Sequence, residues 1–242
     1  MFSSGSFLAL SFQSPEAPGL SRVPAKSIFF HFPDEKSARK SSCRERGPFY
    51  MGLAGKWLFR YFKAPSLIPD DFDAIRDWDS LAVPSCWDMK GYDHPHYTNR
   101  NTPWKKEEHL APKVPENDNP SGAFRRKFRL PKSWKGKRVF LAFDGAESVL
   151  YAMLNGKSLG FLKDSRTGGE FEITESLREG ENVLDVAVVK WSDSCYMEDQ
   201  DQWWHAGIVR NVYLYAAPEN FIGDFFAKTT LKNEYRDGVL DL

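Results

Sequence analysis

Val149-Leu150-Tyr151-Ala152-Met153-Leu154-Asn155-Gly156 is an apolar and aromatic run that ends in an Asn-Gly pair. A type I′ turn needs positive φ at both central residues, and Asn-Gly supplies it at least steric cost, so the stretch reads as a strand entering a tight β-hairpin. Upstream, Arg138 to Asp144 is a second compact apolar run, and Phe124-Arg125-Arg126-Lys127-Phe128-Arg129-Leu130 keeps Phe124, Phe128 and Leu130 on one side. Further back, Trp57-Leu58-Phe59-Arg60-Tyr61-Phe62 is aromatic and strand-like. Downstream, Val183 to Val189 alternates around Leu184, Val186 and Val188, and Asn211-Val212-Tyr213-Leu214-Tyr215 is the last clear strand. Short strands at close spacing with no long helical period predict an all-β sandwich, and about eight strands suit a jelly roll. Helices should be short; Thr174-Glu175-Ser176-Leu177 suits a single capped turn.

Three regions follow from this pattern. Residues 1–47 are rich in Ser, Pro, Lys and Arg and are expected as an N-terminal extension, a partly mobile arm. Residues 48–217 hold the sandwich. After Pro218 a new run begins at Gly223-Asp224-Phe225-Phe226-Ala227-Lys228, and Gly238-Val239-Leu240 opens another. Two strands cannot bury a core, so 218–242 reads as the truncated start of a second domain.

Composition narrows the function. Lysine plus arginine and aspartate plus glutamate both number 33, so no net field draws the chain to nucleic acid or an anionic membrane. The basic cluster Lys36-Ser37-Ala38-Arg39-Lys40 is offset by Asp34 and Glu35. No apolar run approaches the ~20 residues of a membrane span. Phe7 to Phe12 is too short for a signal peptide and has no Lys or Arg before it, which predicts a cytoplasmic protein. Cys43, Cys86 and Cys195 are odd in number and widely spaced, the pattern of free thiols rather than of a disulfide framework or a zinc motif.

The sequence has no dinucleotide fingerprint, Walker loop, H-E-x-x-H or G-x-S-x-G. Polar and aromatic residues gather in three loops instead. The first, Pro84 to Asn99, holds Trp87, Tyr92, His94 and His96. It suits a sugar, whose CH faces meet rings and whose hydroxyls meet Asn, Asp or His. For Trp87 and Tyr92 the favoured reading is packing under the sandwich, and a metal pair at His94 and His96 lacks a third ligand. In the second, Gly160 to Glu170, Asp164 can accept from hydroxyls or bind a hard cation, and equally well can pair with Arg166. The third, Trp191 to Ile208, carries Glu198, Asp199 and Asp201. These could coordinate calcium or serve as a hydrolytic carboxylate pair, but a buttress bonding to indoles and backbone is favoured, because neighbours in one loop rarely flank a sugar from two sides.

Taken in order, these motifs resemble the start of family-two β-galactosidases. The resemblance is carried by Gly52-Leu53-Ala54-Gly55-Lys56-Trp57, Val83-Pro84-Ser85-Cys86-Trp87, Gly91-Tyr92-Asp93-His94-Pro95-His96-Tyr97-Thr98-Asn99 and Glu116 to Gly122. It continues through Asp144 to Ser148, Lys163-Asp164-Ser165-Arg166, Trp191-Ser192-Asp193, Glu198 to Asp201 with Trp203, and Gly207 to Val212. It runs from about residue 48 to 217, is weaker back to about 28, and does not reach residues 1–25.

The resemblance implies a galactose-binding-like jelly roll, followed by an immunoglobulin-like sandwich that begins here and by a barrel outside this chain. It implies retaining hydrolysis of terminal β-galactosides, with no catalytic residue in this chain: both catalytic glutamates and the magnesium site lie in the barrel. Carried over residue by residue, Asn99 and Asp164 contact the galactosyl unit, and Asp164 also helps hold a sodium ion. Two departures stand out: Thr167-Gly168-Gly169 follows where relatives commonly place a Pro nearby, and Cys86 stands where many have Asn. The implied partners are a β-galactoside and the remaining domains or a complementary chain, with a homo-oligomer among the assemblies allowed. A free-standing carbohydrate-binding module and a small subunit of a multi-chain glycosidase are the alternative readings.

Overall fold

The computed structural model describes residues 11–41, 43–99, 102–104, 110–198 and 200–242. Its strands are β1 (Gly19–Leu20), β2 (Tyr50–Gly52), β3 (Gly55–Phe62), β4 (Asp79–Val83), β5 (His96–Thr98), β6 (Ser121–Arg129), β7 (Arg138–Phe143) and β8 (Val149–Leu154). They continue as β9 (Lys157–Leu162), β10 (Gly169–Glu172), β11 (Glu181–Val189), β12 (Gln202–Trp204), β13 (Val212–Ala217), β14 (Lys228–Lys232) and β15 (Asp237–Asp241). Among the described residues the α-helices are short: α1 (Glu35–Lys40) and α2 (Cys195–Glu198).

Strands β1-β9-β8-β11-β6-β3-β4 form one antiparallel sheet and β10-β7-β13-β2 the other. The β8–β9 hairpin turns as expected, with φ of 55° at Asn155 and 78° at Gly156. Asn155 also closes the turn with its side chain: its amide donates to Ser176 O at 2.8 Å and to Asn182 Oδ1 at 2.9 Å, while its oxygen accepts from Val183 N at 3.0 Å.

The two-residue period of a strand divides each side-chain set between two faces. Phe59, Phe124, Leu150, Leu154, Val186 and Val188 of the larger sheet meet Leu141, Phe143, Phe171 and Leu214 of the smaller in the central core. Trp87 is fully buried in that core and stacks on Phe59 at 6.0 Å, and Tyr92 meets Phe59 edge-on at 4.9 Å. The first loop therefore supplies core rings, as its packed reading expected.

Strands β8 and β13 are buried at every position, and β7 at every position after Arg138, because the outer faces of both sheets are covered there as well. Tyr151, Met153, Ala187 and Val189 lie under Phe12, Phe72, Val114, Trp191 and Trp204 on one side. Phe140, Tyr213 and Tyr215 lie under Val23, Phe30, Tyr50 and Phe221 on the other.

Within the stretch expected as a mobile arm, residues 11–23 are docked on the sandwich. Phe12 is buried, Gly19 and Leu20 pair with Leu162 and Phe161, Ser11 Oγ bonds Tyr151 Oη at 2.8 Å, and Val23 N donates to Glu170 O at 2.8 Å. One large buried ring, a two-residue edge pairing and scattered hydrogen bonds hold this segment, none of which creates a period in the sequence. Residues 228–241 form a separate hairpin, β14–β15.

Candidate functional site

The three polar loops gather at one rim of the sandwich. The first and third are joined along two seams. In one, β5 pairs with β12, aligning His96, Tyr97 and Thr98 with Trp204, Trp203 and Gln202. In the other, Ser85 N donates to Ile208 O at 2.9 Å and Trp87 N to Ala206 O at 3.0 Å. Gly207 makes the second seam possible: its φ is 142°, and a Cβ there would sit 2.4 Å from Ser85 O. Gly207 O also accepts from Glu147 N at 3.0 Å, which ties in the β7–β8 connection.

Two buried ammonium groups lock the loops to the sheet. Lys190 Nζ meets Asp93 Oδ2 at 2.6 Å, donates to His94 O at 3.3 Å, and lies 3.1 Å from His96 Nδ1. This cation stands against the two histidines weighed as a metal pair. Burial, then the Lys190 charge, lowers the His96 pKa, which keeps the ring neutral with Nδ1 as acceptor. Lys163 Nζ bridges Asp193 at 2.9 Å and the Ser11 and Ser14 carbonyls at 3.1 and 2.6 Å. The sequence assigns no role to Lys190, for which an apolar strand running straight into Lys-Trp is the available signal, and shows Lys163 only as part of the Lys163-Asp164-Ser165-Arg166 motif.

Asp164 lies beside this lock, with its side chain 52% exposed. The local Asp164–Arg166 pair weighed from spacing does not form. Arg166, at φ 62°, turns inward and pairs with buried Glu147, while Asp164 faces Arg22 at 3.7 Å. Glu198 accepts from Ser165 N at 3.1 Å and so fixes the peptide that follows Asp164. Burial raises the carboxyl pKa of both Glu147 and Glu198, and Arg166 opposes the rise in each case. Asp201 accepts from Tyr97 Oη at 2.5 Å. The acidic cluster is thus a buttress, although its partners are a backbone amide and a phenol rather than indoles; Asp199 lies outside the described residues.

Asn99 is exposed directly after β5. Beside it the half-exposed rings of Tyr97 and Trp203 lie 5.5 Å apart. With its amide turned toward Arg166, Gln202 accepts from Nη1 at 2.9 Å and Nη2 at 3.0 Å, which links the strand pair carrying Asn99 to the loop carrying Asp164. Exposed rings, an amide and a carboxylate are the groups that stack on a sugar and bind its hydroxyls. Asp164 also fits as one oxygen donor to a hard cation, though Arg22 competes for the same carboxylate.

A two-sheet sandwich with these groups at its rim defines a class, the sugar-binding β-sandwich. The family model described as the sugar binding domain of family 2 glycosyl hydrolases matches residues 50–218, and the chain belongs to that family. A β-galactosidase of Priestia megaterium is 38% identical over 234 residues, covering 95% of this chain and 22% of the relative. One from Vibrio cholerae is 42% identical over 193 residues, covering 78% of this chain and 18% of the relative. The chain thus spans about a fifth of the length of these curated relatives. The Priestia alignment also extends the likeness into the amino-terminal residues, beyond the limit near residue 28 read from motifs. Among solved structures, an uncultured Clostridium β-glucuronidase shares the fold at TM-score 0.57 and 21% identity, covering 89% of this chain and 35% of that one. A Bacteroides uniformis β-glucuronidase matches at TM-score 0.51 and 26% identity, over 70% of this chain and 18% of that one. No helix among the described residues is long and apolar enough to cross a membrane.

Proposed function

We propose that this chain is the amino-terminal sugar-binding part of a β-galactosidase and lends Asn99 and Asp164 to the galactosyl subsite. The observation that carries this reading is the meeting at one rim of three sequence-distant loops, which leaves Asp164 and Asn99 exposed while their neighbours are locked. The named β-galactosidases at 38% and 42% identity favour galactoside over the glucuronide chemistry of the fold neighbours. Retaining hydrolysis needs an acid/base carboxyl and a nucleophilic carboxylate about 5–5.5 Å apart. Buried Glu147 is held by Arg166, and half-buried Glu198 accepts from Ser165 N, so neither stands free as a carboxylate pair. On this reading the catalytic carboxylates are supplied from outside this chain, by further domains or a complementary subunit. Asp164 would give one oxygen to a sodium ion whose other ligands also lie elsewhere. That ion would supply fixed positive charge beside a sugar hydroxyl.

The test is kinetics on an active enzyme carrying this segment. Asp164→Ala should lower kcat/KM roughly tenfold to a hundredfold or more, and more than Asn99→Ala does, because charged hydrogen bonds are worth about 1.5–3 kcal/mol against about 1 for neutral ones. The melting temperature should hardly move, since both side chains are exposed. Full activity in Asp164→Ala, or a loss explained by unfolding, refutes the sugar contact.

A further inference from the structure

Where the first and third loops join, Cys86, Asp88 and His205 turn toward one another. One ligand atom from each, a thiol sulfur, a carboxylate oxygen and a ring nitrogen, lies within 4.8 Å of the other two. His205 Nδ1 and Asp88 Oδ2 are 2.9 Å apart. The Asp88 side chain is fully buried, Cys86 is half-buried, and the His205 side chain is 29% exposed, so the cluster opens to solvent on its imidazole side. The backbone frame is fixed by the Trp87–Ala206 and Ser85–Ile208 hydrogen bonds and by the close approach at Gly207.

We propose that Cys86, Asp88 and His205 form a binding site for a zinc-type divalent metal ion. Thiolate, imidazole and carboxylate together suit a borderline ion, whereas calcium and magnesium take oxygen ligands. A tetrahedral ion with bonds of about 2.0–2.3 Å needs ligand atoms roughly 3.3–3.7 Å apart. The observed separations, from 2.9 Å to no more than 4.8 Å, bracket that range, so side-chain rotation suffices. On binding, the Cys86 thiol gives its proton to solvent as the sulfur–metal bond forms. Asp88 exchanges its contact with the imidazole for the metal. His205 binds as the neutral ring, and the fourth position faces water. The site uses neither Asp164 nor Asn99.

The test uses the full, untagged chain freed of metal by dialysis against a chelator. Zinc titration by calorimetry should give one saturable site, and cobalt(II) should give a near-ultraviolet thiolate charge-transfer band. Cys43→Ser, which removes the exposed thiol, should leave both unchanged. Cys86→Ala should abolish the band, and His205→Ala should raise the Kd for zinc by about a hundredfold or more, since even outer partners of a metal ligand cost 10–100-fold. A thermal melt of the metal-free variants confirms that each is folded. The proposal falls if the parent chain shows no saturable site, if the band survives in Cys86→Ala, or if Cys43→Ser removes it.

Discussion

Glu198 sits half-buried with Ser165 N as its hydrogen-bonding anchor, and burial raises its carboxyl above the ordinary 4.5, against the opposing pull of the Ser165 bonds and Arg166. A carboxyl that titrates higher in the folded chain than in the unfolded one is protonated more in the folded state between those two values. Its ionisation therefore destabilises the fold as pH rises through that window, and the cost is complete above the folded value. Glu147 and Asp185 are shifted the same way, in both cases chiefly by burial. Glu198→Gln retains an acceptor for Ser165 N and removes the charge. It should raise the melting temperature at pH 7 by a few degrees, and the gain should shrink as pH falls toward 4.5 and vanish below it. Melts of parent and variant across that range decide it; equal melting temperatures at pH 7 would show that the burial cost is not expressed.

At the level of elements, two glycines with positive φ do different work. Gly156 closes the β8–β9 hairpin at φ 78° and has open space where a Cβ would go. Gly207 sits at the seam between the first and third loops, where a Cβ would meet the Ser85 carbonyl at 2.4 Å. Gly156→Ala should cost about 1–2 kcal/mol, the price of left-handed backbone alone. Gly207→Ala adds a backbone clash that rotamer change cannot relieve and should cost about 3 kcal/mol or more. Chemical denaturation of both variants measures the difference. Equal costs would mean that the seam shifts without penalty, and a hairpin more sensitive than the seam would reverse the ranking.

For the whole molecule, the layout separates support from chemistry. The outer faces of the central strands are covered, and Lys163 and Lys190 are paired inward. What remains exposed at the rim, Asn99, Asp164, Tyr97 and Trp203, suits holding a sugar, and the catalytic carboxylates are proposed to lie elsewhere. The purified chain should therefore leave a chromogenic β-galactoside unhydrolysed, with turnover equal to a buffer control. Turnover above that control that disappears on mutation of a residue of this chain would place the chemistry here.

Local chemistry determined a good deal of this protein. Positive φ at Asn-Gly fixed the β8–β9 turn, apolar runs marked the strands, and the order of short motifs marked the family and the two exposed residues Asn99 and Asp164. These signals lie within a few neighbouring residues, so they survive in a linear reading. Pairing across distance was decided only by the tertiary structure. Arg166 has Asp164 two residues away and takes Glu147 instead, because a left-handed backbone turns it inward. Phe12 anchors a segment with no period of its own. Cys86 and Asp88 find His205 more than a hundred residues later, through a seam that depends on a glycine's missing Cβ. No spacing rule applied to three lone residues could have joined them, since the contact exists only once two loops fold onto the same sandwich edge.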